Sequence, residues 1–225
     1  TPSNTTVSCS DDVPTASIAS VTATDTCPGT VTVTVADVIT NQTCDNRYTI
    51  TRTWTAEDDC GNFAEVTQLI TVIDTTAPAF LYQPSSEHTV ECDQPTPNDN
   101  PVFRDNCDPD FAIAMTYDST AFDCGWEVLK TWTATDQCGN STFFSQTIFG
   151  VDRTPPTFNN TPRDTTVECD AIPAPAFVSA SDNCDLDVSI TLNADIISTL
   201  CNNQRMVRTW IAEDNCGNES FYTQT

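Results

Sequence analysis

The feature that most constrains this chain is an internal repeat with a period of about 78 residues. The segment Arg52-Thr-Trp-Thr-Ala-Glu-Asp-Asp-Cys-Gly-Asn62 recurs, with few changes, as Lys130–Asn140 and as Arg208–Asn218. The motif Thr-Val-Glu-Cys-Asp occurs at both Thr89–Asp93 and Thr166–Asp170. Similar segments at one fixed offset are the signature of a repeat architecture, so the period gives the number of modules. The sequence therefore predicts three modules.

The joins between the copies also repeat, and they set the boundaries. Asp74-Thr-Thr-Ala-Pro-Ala-Phe80 corresponds to Asp152-Arg-Thr-Pro-Pro-Thr-Phe158. We therefore predict domains at residues 1–74, 75–152 and 153–225, which we call repeats 1, 2 and 3. The third copy stops before the residues that complete the second copy. We expect its last strand to be truncated and the chain to be cut from a longer array.

Within each copy, apolar residues alternate with threonine, which is the pattern of a half-buried β-strand. Ile50, Arg52 and Trp54 share one face, and Trp132 and Trp210 repeat the placement of Trp54. The tryptophans should anchor a small core, and the cation in phase with each should lie at the sheet margin. Short strands separated by Pro, Asn, Asp and Gly favour a sandwich. The predicted fold is all-β: three tandem immunoglobulin-like antiparallel β-sandwich modules in an extended rod, with two disulfides per module.

The charge and residue counts exclude several classes of function. With 8 Lys and Arg against 32 Asp and Glu, the net charge of -24 would repel nucleic acid and anionic membrane surfaces. No run of 18 apolar residues is present to insert into a membrane. The single histidine, His88, leaves metal-site and triad chemistry without its usual partner. Because every distinctive residue recurs in three copies, a unique catalytic pocket is not expected, and we predict no enzyme.

The twelve cysteines fall four to a copy, without zinc-site spacing, which indicates structural disulfides and an oxidising compartment. Three pairings are open within each copy. Strand direction places the first and third cysteines at one end of a module, which we call the lower end, and the second and fourth at the upper end. Bonded cysteines need Cα atoms within about 7 Å, which favours pairs at the same end. The predicted pairs are Cys9–Cys44, Cys27–Cys60, Cys92–Cys124, Cys107–Cys138, Cys169–Cys201 and Cys184–Cys216.

Strand direction also places the acidic loops at the upper end of a module, beside the linker aspartate of the module before it. Converging carboxylates repel one another unless a proton or cation neutralises them, and hard oxygen ligands suit Ca²⁺. We therefore predict calcium at the junctions. The alternative is that these residues are solvated caps of turns. The predicted ligands are Asp74, Asp105, Asp108 and Asp136 at the first junction, Asp152, Asp182, Asp185 and Asp214 at the second, and Asp25 and Asp58, with Asp59, in repeat 1.

These motifs resemble the hyalin-repeat (HYR) type of immunoglobulin-like module, whose Ala-Thr-Asp and Gly-Asn elements match Ala134–Asn140. The chain is still more similar to the Cys-rich tandem modules of long secreted surface proteins of Bacteroidetes, through Asp74–Pro78 and the Val-Glu-Cys-Asp and Asp-Asn-Cys-Asp motifs. The resemblance implies export to the cell surface by the type IX route, and a role as an adhesin, a gliding-motility-associated protein or a fibre. It also implies O-glycans at Asp-Thr/Ser-x, here on Thr75, Ser119 and Thr165.

Taken together, the sequence favours a non-enzymatic structural or adhesive segment of a long extracellular repeat protein, forming a calcium-stiffened stalk or fibre on the bacterial surface. Its expected partners are neighbouring repeats of the same chain and other copies in a filament. The alternative is a ligand-binding module that recognises glycan or protein through its loops.

Overall fold

A computed structural model describes residues 2–168, 170–198 and 204–225. Within these residues, the regular structure is β-strand apart from two 3₁₀ turns, Ser10–Asp12 and Ile18–Ser20, which confirms the all-β prediction. The strands are β1 (Thr5–Val7), β2 (Val31–Cys44), β3 (Arg47–Asp58), β4 (Phe63–Ile73), β5 (Ala79–Tyr82), β6 (Glu87–Glu91), β7 (Val102–Arg104), β8 (Ala112–Phe122), β9 (Gly125–Thr135), β10 (Ser141–Val151), β11 (Thr157–Phe158), β12 (Ala180–Ser181), β13 (Ser189–Ser198), β14 (Gln204–Glu213) and β15 (Glu219–Gln224). No helix in the described residues has the length and apolar character needed to cross a bilayer.

The chain divides into two compact units. The first comprises Thr1–Pro84, Asp99–Thr116 and Thr131–Phe144, and the second comprises Ser85–Asn98, Tyr117–Lys130 and Ser145–Thr225. Repeat 1 and the upper part of repeat 2 therefore belong to the first unit. Repeat 3 and the lower part of repeat 2 belong to the second. The first joint between repeats lies inside the first unit and the second joint lies inside the second.

Each repeat is built on one larger sheet of consecutive antiparallel strands. The order is β1-β4-β3-β2 in repeat 1, β6-β10-β9-β8 in repeat 2 and β13-β14-β15 in repeat 3. One feature departs from the predicted antiparallel sandwich: β1 pairs with β4 and β6 with β10 in parallel. The first and last strands of a repeat both run toward its lower end, so they are parallel wherever they become neighbours.

A second, two-stranded sheet completes the sandwich in repeats 2 and 3. It is β5-β7 in repeat 2 and β11-β12 in repeat 3. In repeat 2 the core between the sheets contains Phe103, Trp132 and Phe144, with Phe80 packed against them. The equivalent residues of the three repeats, Trp54, Trp132 and Trp210, are at most 4% exposed, which confirms their predicted role as anchors.

The cation in phase with each tryptophan is buried, rather than at the sheet margin as expected. Arg52 is 3% exposed and binds both carboxylate oxygens of Asp37, at 2.7 and 2.8 Å. It also donates to the carbonyl of Pro14 at 2.7 Å. Lys130 donates to the carbonyl of Pro97, and Arg208 to that of Pro173. In every repeat the buried cation therefore fixes a proline-containing segment across the open face of the larger sheet.

Buried glutamines fasten the start of each repeat to its last strand. Gln68 donates to the carbonyl of Ser3 at 2.6 Å, and Gln146, which is fully buried, donates to that of Ser85 at 2.9 Å. Gln224 makes the corresponding bond to the carbonyl of Arg163. These residues follow the 78-residue repeat, and only their burial shows that they are structural.

Replacing Arg52 with methionine tests the anchoring role of the buried cation. Arg52→Met keeps most of the aliphatic stem but leaves Asp37 and the Pro14 carbonyl without their donor. We expect a loss of about 2 kcal/mol in the free energy of unfolding, measured by urea denaturation. The matched change Arg104→Met, at an exposed position, should cost less than about 0.5 kcal/mol. Equal effects of the two changes would show that the buried contacts contribute nothing specific.

Candidate functional site at the joints between repeats

Disulfides cross the joints between consecutive repeats. Cys9 is bonded to Cys107 and Cys44 to Cys138, with Cα atoms 5.1 and 5.3 Å apart. Both bonds connect the lower end of repeat 1 to the upper end of repeat 2. At the second joint, Cys92 is bonded to Cys184 in the same manner, with Cα atoms 6.1 Å apart.

The predicted pairs Cys9–Cys44, Cys92–Cys124, Cys107–Cys138 and Cys184–Cys216 are therefore wrong. Strand direction places each cysteine at an end of its own module. The lower end of one repeat, however, meets the upper end of the next. Two cysteines from each repeat therefore lie at the joint. Those that are bonded have their partner in the neighbouring repeat.

The remaining predicted pairs have different outcomes. Cys27 and Cys60, at the upper end of repeat 1, are exposed and not bonded to each other. The predicted pair Cys169–Cys201 lies outside the described residues.

Cys124 and Cys216 are thiols in contact at the second joint, where the repeat places the counterparts of Cys44 and Cys138. The Cys124 thiol donates to the carbonyl of Asn215 at 3.3 Å. Burial raises the pKa of the Cys216 thiol. The hydrogen bond between the Cys216 and Cys124 thiols and the charges of Asp152 and Asp214 raise it further. Cys216 is therefore held in its protonated, weakly nucleophilic form at neutral pH.

Three aspartates converge at the first joint: Asp74 of the linker, Asp105 and Asp136. They are buried, at 0%, 8% and 5% exposure. Asp74 and Asp105 each present a carboxylate oxygen within 4.8 Å of the other. One oxygen of Asp74 accepts from the Thr76 amide, but its Oδ2 is buried with no donor. The same holds for Oδ2 of Asp105, whose Oδ1 accepts from the amides of Cys107 and Asp108.

The second joint repeats this arrangement with Asp152, Asp182 and Asp214. Oδ1 of Asp152 accepts from the Thr154 amide, and Oδ1 of Asp182 accepts from the amides of Cys184 and Asp185. Oδ2 of both aspartates is again buried with no donor. A pair of orphaned carboxylate oxygens thus recurs at equivalent positions of both joints.

The linker carboxylates resist ionisation. Burial raises the pKa of Asp74 above its ordinary value of about 3.9, and the charges of Asp105 and Asp136 raise it further. The hydrogen bond from the Thr76 amide acts in the opposite direction and lowers it. Burial likewise raises the pKa of Asp152, and the charges of Asp182 and Asp214 add to it. Carboxylates in this condition favour a bound proton or a bound cation.

The hairpin aspartates have a second task, which is to close the Asp-x-Cys-Gly-Asn turn. Oδ1 of Asp136 accepts from the Asn140 amide at 2.8 Å, and Oδ2 accepts from the Asn140 side chain at 2.7 Å. Asp214 and Asp58 bind Asn218 and Asn62 in the same way. The turn needs its glycine, because Gly139 has φ 89°, a region that favours glycine.

The carboxylate oxygens of Asp108 and Asp185 also accept hydrogen bonds from backbone amides. Oδ2 of Asp108 accepts from the Gln137 amide and Oδ2 of Asp185 from the Asn215 amide, both at 2.8 Å. They tie the Asp-Asn-Cys-Asp loop to the hairpin of the same repeat. A turn-capping role, which is the alternative interpretation, therefore fits these two residues, although Asp108 is buried rather than solvated.

The three aspartates of repeat 1 are also engaged by hydrogen-bond donors. Asp25 accepts from the Cys27 amide, and Asp59 accepts from the amide and hydroxyl of Thr30. Side-chain bonding to Asn62 lowers the pKa of Asp58, and the Thr30 amide lowers that of Asp59. No buried oxygen without a donor is recorded among them in the described residues. The metal site in repeat 1 stays a prediction.

The two joints differ in one respect that bears on cation binding. At the first joint, Arg47 donates to the Asp74 carbonyl at 3.1 Å, and its charge acts against the rise in the Asp74 pKa. The repeat places Gly125 at that position in the second joint. The Asp152 cluster therefore lacks that guanidinium and should need an added cation more.

The donor chemistry of both clusters fits a hard divalent cation. At each joint, two aspartates present a buried Oδ2 to which no described residue donates, and a third carboxylate, held by its hairpin asparagine, lies beside them. The predicted glycan acceptors Thr75, Ser119 and Thr165 are exposed, and their modification stays a prediction.

Comparison with known families identifies one part of the chain. Residues 1–72 match the family described as "HYR-like domain with 4 cysteines". The match covers repeat 1, and the resemblance to HYR-like modules is confirmed for that repeat. No curated protein matches the chain significantly.

Among solved structures, the chain is similar to the EC1–3 fragment of Drosophila N-cadherin, with 15% identity over 100% of this chain and 97% of that chain and a TM-score of 0.38. It is also similar to human CDH23 EC21–23, with 15% identity over 79% and 74% of the two chains and a TM-score of 0.28. TM-scores this low do not establish a shared fold.

The pH dependence of the free energy of unfolding tests whether the charged form of the linker carboxylates is destabilised in the folded chain. A pKa raised in the folded state gives stability that is fully present below the ordinary pKa of about 3.9 and is lost as pH rises through the raised value. Asp152→Asn should remove this loss and raise the free energy of unfolding at pH 7, in EDTA, by on the order of 1 kcal/mol.

Below pH 4 the same variant should match the parent chain, and the exposed control Asp118→Asn should match it at both pH values. Equal stability of Asp152→Asn and the parent at pH 7 would show that the Asp152 carboxylate is not under strain.

Proposed function

We propose that this chain is a non-enzymatic structural and adhesive segment of a long extracellular repeat protein, forming a disulfide-stapled, calcium-stiffened stalk or fibre on a bacterial cell surface. The observation that carries the proposal is the first joint, which two disulfides cross beside the peptide linker. A recognition module needs exposed loops, whereas here the loops that carry the repeated residues are used to join one repeat to the next.

The covalent geometry supports a mechanical role. The two bonds of the first joint connect cysteines 98 and 94 residues apart in the sequence. Loops of this length stabilise the folded state by about 4 to 5 kcal/mol each in the chain-entropy model, although nested loops do not add fully. Three covalent connections restrain a joint against both bending and extension, so tension passes from repeat to repeat without depending on the sheets alone.

Calcium would complete the joints by neutralising their carboxylates. Asp74 and Asp105, with Asp136 beside them, would hold the ion at the first joint. Asp152 and Asp182, with Asp214, would hold it at the second. A bound divalent cation removes the repulsion that otherwise opposes closure of each joint, and calcium accepts the variable oxygen geometry that such a loop cluster offers.

The family match and the repeat support the cellular setting. Residues 1–72 match an HYR-like domain with four cysteines, and the same four cysteine positions recur in repeats 2 and 3. Disulfides at the joints need an oxidising compartment, which agrees with export. Secretion by the type IX route and lateral association of copies into a filament rest on the resemblance to Bacteroidetes surface proteins.

Calcium titration tests the metal part of the proposal. Saturating Ca²⁺ should raise the unfolding midpoint of the EDTA-treated chain by about 5 °C or more at pH 7, with Mg²⁺ less effective. The double change Asp152→Asn with Asp182→Asn should abolish calorimetric binding at the second joint. The control pair Asp118→Asn with Asp195→Asn removes the same charge at exposed positions and should bind as the parent does. No binding to the parent, or equal binding by the two double variants, would refute junctional calcium.

We also propose that Cys124 and Cys216 form a second disulfide bond across the second joint. Closure removes two protons and two electrons from the thiols and reduces one molecule of a disulfide oxidant such as glutathione disulfide to two thiols. We expect peptide mapping after this oxidation to show a Cys124–Cys216 bond, forming faster at pH 9 than at pH 7 because the thiolate is the attacking species.

The variant Cys216→Ser provides the control, since its Cys124 should keep a mixed disulfide with glutathione. If Cys124 and Cys216 of the parent each remained separately alkylated after oxidation, the two joints would differ in their covalent design.

A further inference from the structure

In repeats 2 and 3, an aromatic residue from the preceding join completes the core. We call the residues from the linker aspartate to this aromatic the entry segment, which is Asp74–Phe80 for repeat 2 and Asp152–Phe158 for repeat 3. The ring of Phe80 lies 4.9 Å from that of Phe103 and 6.0 Å from that of Phe144. The ring of Phe158 lies 6.1 Å from that of Tyr222.

The corresponding region of repeat 1 is a cavity of about 500 Å³ that opens to solvent. We call it the open core groove. It is lined by Ala23, Val31, Trp54, Ala56 and Val66. In the repeat these positions correspond to the core residues Phe103, Phe111, Trp132, Ala134 and Phe144 of repeat 2. The groove is therefore the core site of the sandwich, with smaller side chains and without an entry aromatic.

The backbone beside the groove also lies where the equivalent backbone of repeats 2 and 3 pairs with a strand of the entry segment. Phe80 pairs with Phe103 in the β5–β7 sheet, and Phe158 pairs with Ala180 in the β11–β12 sheet. The equivalent residue in repeat 1 is Ala23, which lies outside the described strands. An added strand would pair there and place its aromatic residue over Trp54, the mode of binding known as β-strand addition.

A second, independent feature marks the same end of repeat 1. Cys27 lines the groove, and both Cys27 and Cys60 are exposed and without a disulfide. Their counterparts Cys107 and Cys138 bond the lower end of the preceding repeat. The cysteines and the groove are thus the two features that repeat 2 uses to hold another repeat.

We infer that the upper end of repeat 1 is an acceptor surface for the lower end of another repeat of this kind. The occupant of the groove is an extended segment of the form Pro-x-Phe, with the phenylalanine buried against Trp54. The inference concerns a surface outside the two joints and does not depend on calcium. It extends the proposed function by naming the segment that this surface binds.

A graft tests the inference on the full chain. Pro2 and Ser3 correspond to Pro84 and Ser85, since Gln68 binds Ser3 as Gln146 binds Ser85. A copy of residues 74–82 placed directly before Thr1 therefore brings an entry segment to the groove. A matched second graft carries alanine in place of the phenylalanine.

Amide hydrogen exchange in EDTA is the readout. We expect the phenylalanine graft to slow exchange at residues 22–24 at least about tenfold relative to the parent, because strand pairing protects these amides. We expect the alanine graft to exchange as the parent does. Exchange at residues 22–24 that is unchanged by the phenylalanine graft, or slowed equally by both grafts, would overturn the inference. Since calcium is absent, this result is separate from the outcome of the calcium titration.

Discussion

The structure depends on the disulfide bonds that cross each joint. A sandwich of about 75 residues has a small core, and small modules are marginal without additional restraint. A bond inside one module would stabilise that module alone. A bond between modules restrains both of them and also fixes their junction. The pairs Cys9–Cys107 and Cys44–Cys138 therefore make the joint as defined a part of the molecule as the sheets.

The electrostatics of the joints follow from this restraint. Once the repeats are held end to end, the linker aspartate is enclosed by aspartates of the following repeat. Asp74 and Asp152 lose their hydration, which raises the pKa of both carboxyl groups, and the neighbouring negative charges raise it further. An unrestrained joint could relieve the repulsion by opening. A stapled joint can relieve it by binding a proton or a cation, which is the physical basis for proposing calcium there.

The sequence predicts most of the fold, because alternation and periodicity are local signals. The strand that carries Trp54 and the position of every described cysteine at an end of its repeat follow from chain direction. The bonding partner does not, because that argument treats a module as isolated while Cys9 finds its partner in the next repeat. The burial of Arg52 does not follow from its own strand, since its partners Asp37 and the Pro14 carbonyl come from elsewhere in the chain.

The candidate site was predicted in part. Asp74, Asp105, Asp152 and Asp182 have the orphaned oxygens that a ligand role requires, whereas Asp108 and Asp185 bind backbone amides. Both kinds of aspartate look alike in the sequence. What separates them is whether a neighbouring amide points at the carboxylate, and that depends on how the Asp-Asn-Cys-Asp loop meets the following hairpin. The buried glutamines were overlooked for the same reason, although Gln68, Gln146 and Gln224 share the 78-residue spacing.

The most direct test of this account is a map of the disulfides in the oxidised chain, obtained by non-reducing proteolysis and mass spectrometry with free thiols blocked beforehand. If disulfides staple the joints, the map will contain peptides linked through Cys9–Cys107, Cys44–Cys138 and Cys92–Cys184. Linkage of Cys9 to Cys44 and of Cys107 to Cys138 would contradict this account, because each repeat would then be closed on itself and the joints would be held by the linker peptide alone.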